Sequence, residues 1–357
     1  MSTHRIAPIL TPQRPSFWPP ATFWKALATH LLIPLFLAAG MALAYLGAFH
    51  QPTPHDLPVA VVGTGPAAQV FAQTLNDSAP AALDVTTVAD DASARDRVAH
   101  QKLAAAYETA ADHATIIVST ASSETTASAA EKLFLPIAFR QHLPVTIADV
   151  RPAGVHDGTG QGLFFLLVAL SVGSYASAIA VAAVTARVAV GWRVAVSAAV
   201  AVVVAAIGVI VAGPVYGVVD GNIWSIWLLS ALYVFGIVTI GVGLHPVLGK
   251  WTTPILTMLF VMLNFTSSGG IFAPALSPAL FAGLNTFWNG AAWLDAARAL
   301  TYFPGQVFGF DGLRLALWAA VGITLIVVTH LFSMRRRRLA DESLAVTASE
   351  EESVIAA

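Results

Sequence analysis

The sequence predicts an α-helical integral membrane protein with six transmembrane helices and a small α/β extracytoplasmic domain inserted between helices 1 and 2. The chain is 57% hydrophobic and 11% of its residues are charged, against about 25% in soluble domains. Its mean hydropathy is +0.73. The apolar residues concentrate in six stretches, each close to the roughly 20 residues that a helix needs to cross a bilayer. The stretches are Ala26–Phe49, Gly162–Ala186, Val194–Tyr216, Ile223–Leu244, Thr253–Ala275 and Leu315–Ser333.

These stretches divide the chain into five parts. Residues 1–25 are expected to form a cytoplasmic N-terminal segment with an interfacial helix, and residues 26–49 the first transmembrane helix. Residues 50–161 are expected to form the extracytoplasmic domain, and residues 162–334 a membrane domain of five helices. Residues 335–357 form a tail that is first basic and then acidic, and its low content of aromatic residues predicts disorder.

Basic residues beside the spans predict the orientation, because Lys and Arg are enriched in short cytoplasmic loops. They are Arg5, Arg14 and Lys25 before the first stretch, Arg187 and Arg193 after the second, Lys250 after the fourth and Arg335–Arg338 after the sixth. The turn at Pro214–Asn222 has no Lys or Arg. We therefore expect a multi-pass protein of the cytoplasmic (inner) membrane with both termini in the cytoplasm. The first stretch is interpreted as an uncleaved signal anchor rather than a cleaved signal peptide, because no A-x-A site follows it before Pro52.

Between residues 50 and 161, strands alternate with helices, which is typical of a small α/β domain. The pattern predicts strands at Leu57–Gly63, Leu83–Val88, Ala114–Ser119 and Leu143–Val150. It predicts helices at Pro66–Asp77, Ala92–Glu108 and Glu124–Phe139.

The segment Val59–Ala68 matches a dinucleotide-binding fingerprint, with Asp84 at about the right distance. However, Pro66 removes a backbone N–H that would face the pyrophosphate, and the domain lacks a second mononucleotide half. We therefore interpret the segment as a plain strand–turn–helix. The hydroxyl-rich segment Ser119–Ser128 has no paired base, and the histidines of this domain lack ligand spacing.

The chain has no cysteine, which excludes disulfides, thiol catalysis and thiolate metal sites. No cofactor, metal site or catalytic constellation is predicted, so we do not expect an enzyme. Membrane lipid is an expected partner, and nothing in the sequence indicates a nucleic-acid partner.

Small residues at four-residue spacing occur in the second stretch, at Gly173 with Ser177 and at Ser174 with Ala178, and glycines recur in the fourth. Such faces let helices pack closely. No charged residue lies within a stretch, which argues against a proton-coupled carrier or an ion channel. Asn264 is the one strongly polar side chain at depth, and we expect it to make an intramembrane polar contact between helices.

A re-entrant or interfacial segment is predicted near residues 266–312, because glycines and prolines interrupt the fifth stretch there. Gly269 and Gly270 break the helix, and Asp295 and Arg298 are three residues apart, so that they can pair on one helical face. With Tyr302, these residues are candidates for an outer gate or a structural lid.

The order of these parts resembles the permease subunits of ABC-2 type transporters, especially their YhgE/Pip-like and nitrosoguanidine-resistance-like relatives. The resemblance covers nearly the whole chain. It rests on Leu57–Val62, on Val150-Arg-Pro followed by Asp157–Gly160, on Ser267–Gly270 and on Ala297–Phe303. It implies export of a lipophilic or cell-envelope compound, a homodimer, and energy from a separate cytoplasmic ATPase subunit.

The resemblance also implies two contacts with the ATPase, which match Phe17–Leu27 and a coupling turn at Ala186–Arg193 with Arg187 and Arg193. That turn is short for a docking helix. No G-x-x-x-x-G-K-[ST] motif is present, so the chain itself is not expected to bind ATP. The alternative is a membrane-anchored surface protein without transport activity, whose outer domain binds an envelope component or a partner protein.

The predicted topology can be tested with protease added to intact cells. We expect cleavage within residues 50–161 and protection of a reporter fused at residue 357. An uncut outer domain, or an exported reporter, would contradict the orientation.

Overall fold

The computed structural model describes residues 21–303, 305 and 309–355. Within them, five helical stretches are long and apolar enough to cross a membrane, by length and composition. They are Ala21–Phe49, Gly162–Thr185, Val190–Val215, Ile223–Ser267 and Gly309–Arg336. The chain is therefore a helical protein of the multi-pass membrane type. Four of the six predicted stretches correspond to one of these each, whereas the 45-residue stretch contains the predicted fourth and the predicted fifth as far as Ser267.

This long stretch folds back on itself. It contains α7 (Ile223–Leu248), a 3-10 turn at Gly249–Trp251, and two short helices, α8 (Thr252–Thr257) and α9 (Leu263–Ser267), joined by a π turn. The Asn264 amide lies 2.6 Å from the Tyr233 hydroxyl, whereas a straight helix would hold these residues about 46 Å apart. The reversal occurs at Gly249, whose φ of +53° suits glycine.

Residues 57–149 form a five-stranded sheet with helices on both faces, which we call the outer domain after its predicted location. Its strands are β1 (Leu57–Val62), β2 (Leu83–Val88), β3 (Ala105–Thr109), β4 (Ala114–Val118) and β5 (Val145–Asp149), in the order β2-β1-β3-β4-β5. The β3–β4 pair is antiparallel and the other pairs are parallel. Helices α2 (Pro66–Ser78) and α4 (Glu124–Arg140) contribute to one apolar core, and α3 (Asp91–Ala99) to the other.

The predicted helix at Ala92–Glu108 is wrong in its second half. Helix α3 ends at Ala99, Gln101 adopts a φ of +59°, and the chain then forms β3. Ala105, Ala106 and Tyr107 are fully buried and pair with β1. Ala106 and Tyr107 also pair with β4 on the other side. Hydrogen bonds to two neighbouring strands outweigh the helix propensity of the alanines, which the local pattern alone could not reveal.

The tail also differs from its prediction. Helix α12 (Gly309–Ile355) continues through the residues that were expected to be disordered. The tail is rich in Ala and Glu, which favour helix, and extending an existing helix avoids the cost of nucleation. At the other terminus, the predicted interfacial helix at Phe17–Leu27 lies partly outside the described residues. From Ala21 onward it belongs to α1 (Ala21–Phe49) without a break.

The membrane domain is built around α7, which packs against α5 (Gly162–Thr185), α6 (Val190–Ile210), α11 (Asn289–Tyr302) and α12. Small residues permit the close approach. A side-chain carbon at Gly241 would overlap Ala178 and Leu256, and one at Gly243 would lie 2.9 Å from the Ile326 backbone nitrogen. Helix α1 packs more loosely, because most of its apolar side chains remain exposed. That exposure suits a helix surrounded by lipid.

We expect Gly322→Ala to destabilise the membrane domain, because a side-chain carbon there would overlap Thr239 and lie 2.9 Å from the Ile240 backbone nitrogen. Overpacking of this kind costs about 1–3 kcal/mol. The measurement is the apparent melting temperature of the purified protein in detergent. Gly47→Ala in α1 is the control, since nothing lies within 4 Å of the added carbon. Equal melting temperatures for the two variants would contradict this packing.

Candidate functional site

A cleft of about 330 Å³ lies between the outer domain and the membrane domain. We refer to it as the outer cleft. The outer domain lines it with hydroxyl side chains, which are Ser119, Ser122, Ser123 and Thr126, and the membrane domain lines it with Gly269, Asp295 and Arg298. Apolar residues such as Leu57 and Leu103 complete the wall. The outer cleft therefore combines a cation, a carboxylate and several hydroxyls with apolar surface.

The segment that follows α9 connects the two domains beside this cleft. Leu276 is 2% exposed and belongs to the apolar core of the outer domain. The Ala275 carbonyl accepts a 2.7 Å hydrogen bond from the His55 backbone N–H. In addition, the Thr125 hydroxyl at the start of α4 donates to the Ile271 carbonyl. The chain that leaves the membrane domain is thus part of the outer domain's fold.

The break in the helix coincides with Gly269 and Gly270. Helix α9 ends at Ser267, earlier than the predicted Ala275, because Gly269 adopts a φ of +74°. A side chain at Gly270 would overlap the ring of Phe164 in α5. Both positions therefore require glycine, one for its backbone angle and the other for the close approach of an aromatic ring.

The predicted pairing of Asp295 with Arg298 does not form. The Asp295 carboxylate lies 3.9 Å from Nη1 of Arg314, which also donates to Asp311 at 2.9 Å. Arg298 instead donates through Nη1 to the Gly269 carbonyl at 3.1 Å. The partner in each case comes from a distant part of the chain, so spacing along α11 could not reveal it. The hydrogen bond from Arg298 therefore connects α11 to the helix break at Gly269.

Charged groups are more deeply placed here than the sequence suggested. Arg298 and Arg314 are both 9% exposed, although neither lies within a predicted span. Arg314 also donates to the carbonyls of Asn285 and Trp288, at the turn before α11. Buried cations of a membrane protein usually face the interior of the bundle and mark functional regions.

Tyr302 contacts the point where the chain re-enters the membrane domain. Its hydroxyl donates to the Asp157 carboxylate at 3.2 Å. The same carboxylate accepts hydrogen bonds from the backbone N–H groups of Gln161 and Gly162 at 3.1 and 2.9 Å. It thereby caps the start of α5. Asp157 is 6% exposed. Its contact with Tyr302 was not predicted from the sequence, because the two residues are far apart along the chain.

Below the outer cleft, Asn264 lies at the centre of a buried hydrogen-bonded chain, which we call the polar layer. Its Nδ2 donates to the Tyr233 hydroxyl, and its Oδ1 accepts from the Gly290 backbone N–H at 3.1 Å. The Tyr233 hydroxyl lies 2.6 Å from the Ser171 hydroxyl. The polar layer therefore links α5, α7, α9 and α11. Tyr233 is ten residues into α7, which is about 15 Å below its outer end.

Helix α11 reaches down to this layer from the outer end of the bundle. Near its C-terminus, the Leu300 carbonyl accepts from Asn222, which precedes α7. Near its N-terminus, Gly290 contacts Asn264. The helix is buried among its neighbours, and Trp293 is fully buried with its Nε1 donating to Ser230. Helix α11 therefore packs inside the helix bundle.

Asn289, which precedes Gly290 at the start of α11, lies beside the polar layer and has unsatisfied polar atoms. Asn289 is 1% exposed, and neither Nδ2 nor Oδ1 of its amide has a hydrogen-bond partner among the described residues. Leaving a buried polar group unpaired costs about 1–3 kcal/mol. Such an amide is normally satisfied by a water molecule or a bound solute.

The two arginines of the predicted coupling turn differ in their surroundings. Arg187 is exposed at the end of the bundle opposite the outer domain. Arg193 is 7% exposed and donates to the carbonyls of Ala186 and Val188. Arg193 therefore holds the shape of the turn, whereas the side chain of Arg187 is exposed at the surface.

The remaining motifs of the outer domain have ordinary structural roles. Val59–Ala68 forms β1, a turn and α2, with Gly63 at a φ of +126° and Pro66 in the first turn of the helix. No group of three or more His, Asp or Glu side chains placed to hold a metal ion occurs in the described part of the chain.

Comparisons of this chain with protein-family models, with curated proteins and with solved structures gave no match. The function is therefore argued from the geometry of the outer cleft and the polar layer.

We expect Asn264→Ala to destabilise the protein by about 0.6–2 kcal/mol, the usual strength of hydrogen bonds between membrane helices. The substitution leaves the Tyr233 hydroxyl and the Gly290 N–H without this partner. The measurement is the apparent melting temperature in detergent. The double variant Asn264→Ala, Tyr233→Phe should lose less stability than the sum of the two single losses, because the two residues share one interaction.

Thr324→Val is the matched control, since this exposed hydroxyl bonds only to the Ala320 carbonyl of its own helix. Additive losses for Asn264→Ala and Tyr233→Phe, or an equal loss for the control, would contradict the importance of the polar layer.

Proposed function

We propose that this protein is the permease subunit of an ABC-2-like exporter, which moves a lipophilic or cell-envelope compound across the cytoplasmic membrane. The observation that carries the proposal is the alignment of three features. The outer cleft lies beside the helix break at Gly269, and the polar layer with the unpaired Asn289 amide lies below it. We propose that together they form a route from the middle of the bundle to the outer surface.

The topology behind this proposal is six membrane crossings with both termini in the cytoplasm. The fold-back at Gly249 supports it, because α7 and the α8–α9 stretch then run in opposite directions, as two crossings would. With a hydrocarbon core of about 30 Å, the polar layer at about 15 Å below the outer end of α7 lies near the middle of the membrane.

The chemistry of the route suits an amphipathic compound. Arg298, Asp295 and the hydroxyls of the outer cleft can bind a polar head, while the apolar wall accommodates a hydrophobic body. Because the outer domain and the membrane domain share this wall, a movement between them would change the volume of the cleft. The segment from Ile271 to Leu276 is the mechanical link for such a movement.

Energy in this proposal comes from a separate cytoplasmic ATPase, since the sequence has no phosphate-binding loop of its own. The exposed Arg187 is the residue of the α5–α6 turn that is available for that contact. The resemblance to ABC-2 permease subunits also leads us to propose a homodimer. The exposed apolar face of α1 offers one surface on which a second copy could pack.

A second function is supported by the outer cleft alone. Its hydroxyls come from the outer domain, so that this domain could bind an envelope component while the membrane domain serves only as an anchor. In that case the polar layer would be a structural contact, without access for water.

Because the chain has no cysteine, a single introduced cysteine can separate these functions. We expect Asn289→Cys to react with a membrane-impermeant thiol reagent added from outside to energised cells, because the proposed route exposes Asn289 to water. The measurement is the rate of labelling with and without depletion of ATP.

Ala292→Cys is the matched control, since this α11 residue is also fully buried but lines neither the outer cleft nor the polar layer. It should stay unlabelled. If Asn289→Cys is also unlabelled in every energy state, there is no open route and the anchored surface protein is favoured. Co-purification of an ATPase with the wild-type chain would add support for the exporter.

A further inference from the structure

A second cavity, of about 220 Å³, lies at the end of the bundle opposite the outer domain. We refer to it as the inner cavity. It is formed where the end of α5, the α5–α6 turn, the end of α7 and the middle of α12 meet. Its polar lining consists of Arg187, Arg193, His245, His330, Thr185, Thr329 and Ser333.

The charge of the inner cavity is one-sided. Two arginines and two histidines line it, and its lining contains no Asp or Glu. The arginines are positively charged at every physiological pH. The site therefore has a positive potential without a carboxylate to balance it, which favours an anionic ligand.

Arg193 is held in place to offer a hydrogen-bond donor. Its Nε and Nη2 donate to the carbonyls of Val188 and Ala186 at 3.2 and 2.8 Å. Its Nη1 makes no hydrogen bond within the described residues, and the side chain is 7% exposed. A buried guanidinium is stabilised when an anion pairs with it.

The hydroxyl groups that line the inner cavity already donate hydrogen bonds within the protein. Thr185 and Thr329 each donate to a carbonyl of their own helix, and so does Ser333. His245 has Nδ1 at 3.1 Å from the Thr252 hydroxyl, which itself donates to the Gly249 carbonyl. A ligand must therefore obtain its hydrogen bonds from the basic side chains.

We infer that the inner cavity binds a phosphate group, supplied by the headgroup of a phospholipid. A phosphate offers several acceptor oxygens and at least one negative charge, which match the unused donors of Arg187 and Arg193. Three apolar residues that are sequence neighbours of lining residues are strongly exposed, namely Val184, Val247 and Leu331. They provide a surface for acyl chains, which a soluble phosphate would not need. This inference does not depend on the proposed export function.

The test uses the full-length protein, purified in a neutral detergent, with lipid binding measured by native mass spectrometry and by the shift in apparent melting temperature. The probes are phosphatidylglycerol, diacylglycerol and glycerol 1-phosphate. We expect phosphatidylglycerol to bind and diacylglycerol not to bind. Arg187→Gln should weaken phosphatidylglycerol binding about tenfold, the effect of losing one charge-assisted hydrogen bond, and adding His330→Gln should weaken it further.

Lys250→Gln is the matched control, because it removes one exposed charge at the same end of the bundle, outside the cavity lining. It should leave phosphatidylglycerol binding within about twofold of the wild type, because a charge outside the cavity is screened from the bound phosphate by solvent and salt. Equal binding of diacylglycerol, or an equal loss in Lys250→Gln, would overturn the site. Glycerol 1-phosphate that binds as tightly as phosphatidylglycerol would keep the phosphate site and overturn the lipid as its source. These outcomes are independent of cysteine labelling at Asn289.

Discussion

The side-chain amide of Asn264 joins helices that otherwise meet through apolar contacts. It reaches Tyr233 in α7 and the backbone of Gly290 in α11, and Tyr233 extends the chain to Ser171 in α5. Within a membrane, apolar side chains have little preference for each other over lipid, so hydrogen bonds and close packing determine how helices associate. Residue 290 must be glycine to allow this contact, because a side-chain carbon at Gly290 would overlap Asn264.

The depth of α11 follows from this constraint. Gly290 positions its N-terminus beside Asn264, and Asn222 positions its C-terminal end beside the start of α7. Held at both ends, α11 brings Asp295 and Arg298 to the wall of the outer cleft. The buried Arg298 then binds the carbonyl of Gly269, which connects the depth of α11 to the break that ends α9. The proposed route depends on these contacts, because they bring the charged residues and the break to one place.

The two ends of the bundle differ in their chemistry. The outer cleft contains both Asp295 and Arg298, together with hydroxyls, and is shared between two domains. The inner cavity contains arginines and histidines and no acidic residue. A mixed site is suited to amphipathic compounds of varied charge, whereas a uniformly basic site selects anions. The asymmetry agrees with an outer region for cargo and an inner region for an anionic lipid, as proposed.

Local patterns in the sequence were sufficient for the apolar stretches, for most elements of the outer domain, and for Asn264 as a polar residue among apolar helices. Hydropathy and periodicity act within about 20 residues, and these features have that range. The pattern failed at β3, where alanines suited to a helix form a central strand between β1 and β4. It also failed at Asp295 and Arg298, because their partners come from α12 and from the end of α9.

The sequence by itself determined that the chain is of the membrane type, where its long apolar helices lie, and that a domain of alternating strands and helices separates the first two. The tertiary structure alone decided that Tyr233 and Gly290 complete the polar layer with Asn264, that Leu276 belongs to the core of the outer domain, and that Arg193 faces a cavity. The physical reason is the separation of the partners. Residues that lie 26 to 31 positions from Asn264 meet it only after the chain reverses, and no local pattern specifies where two distant segments will pack.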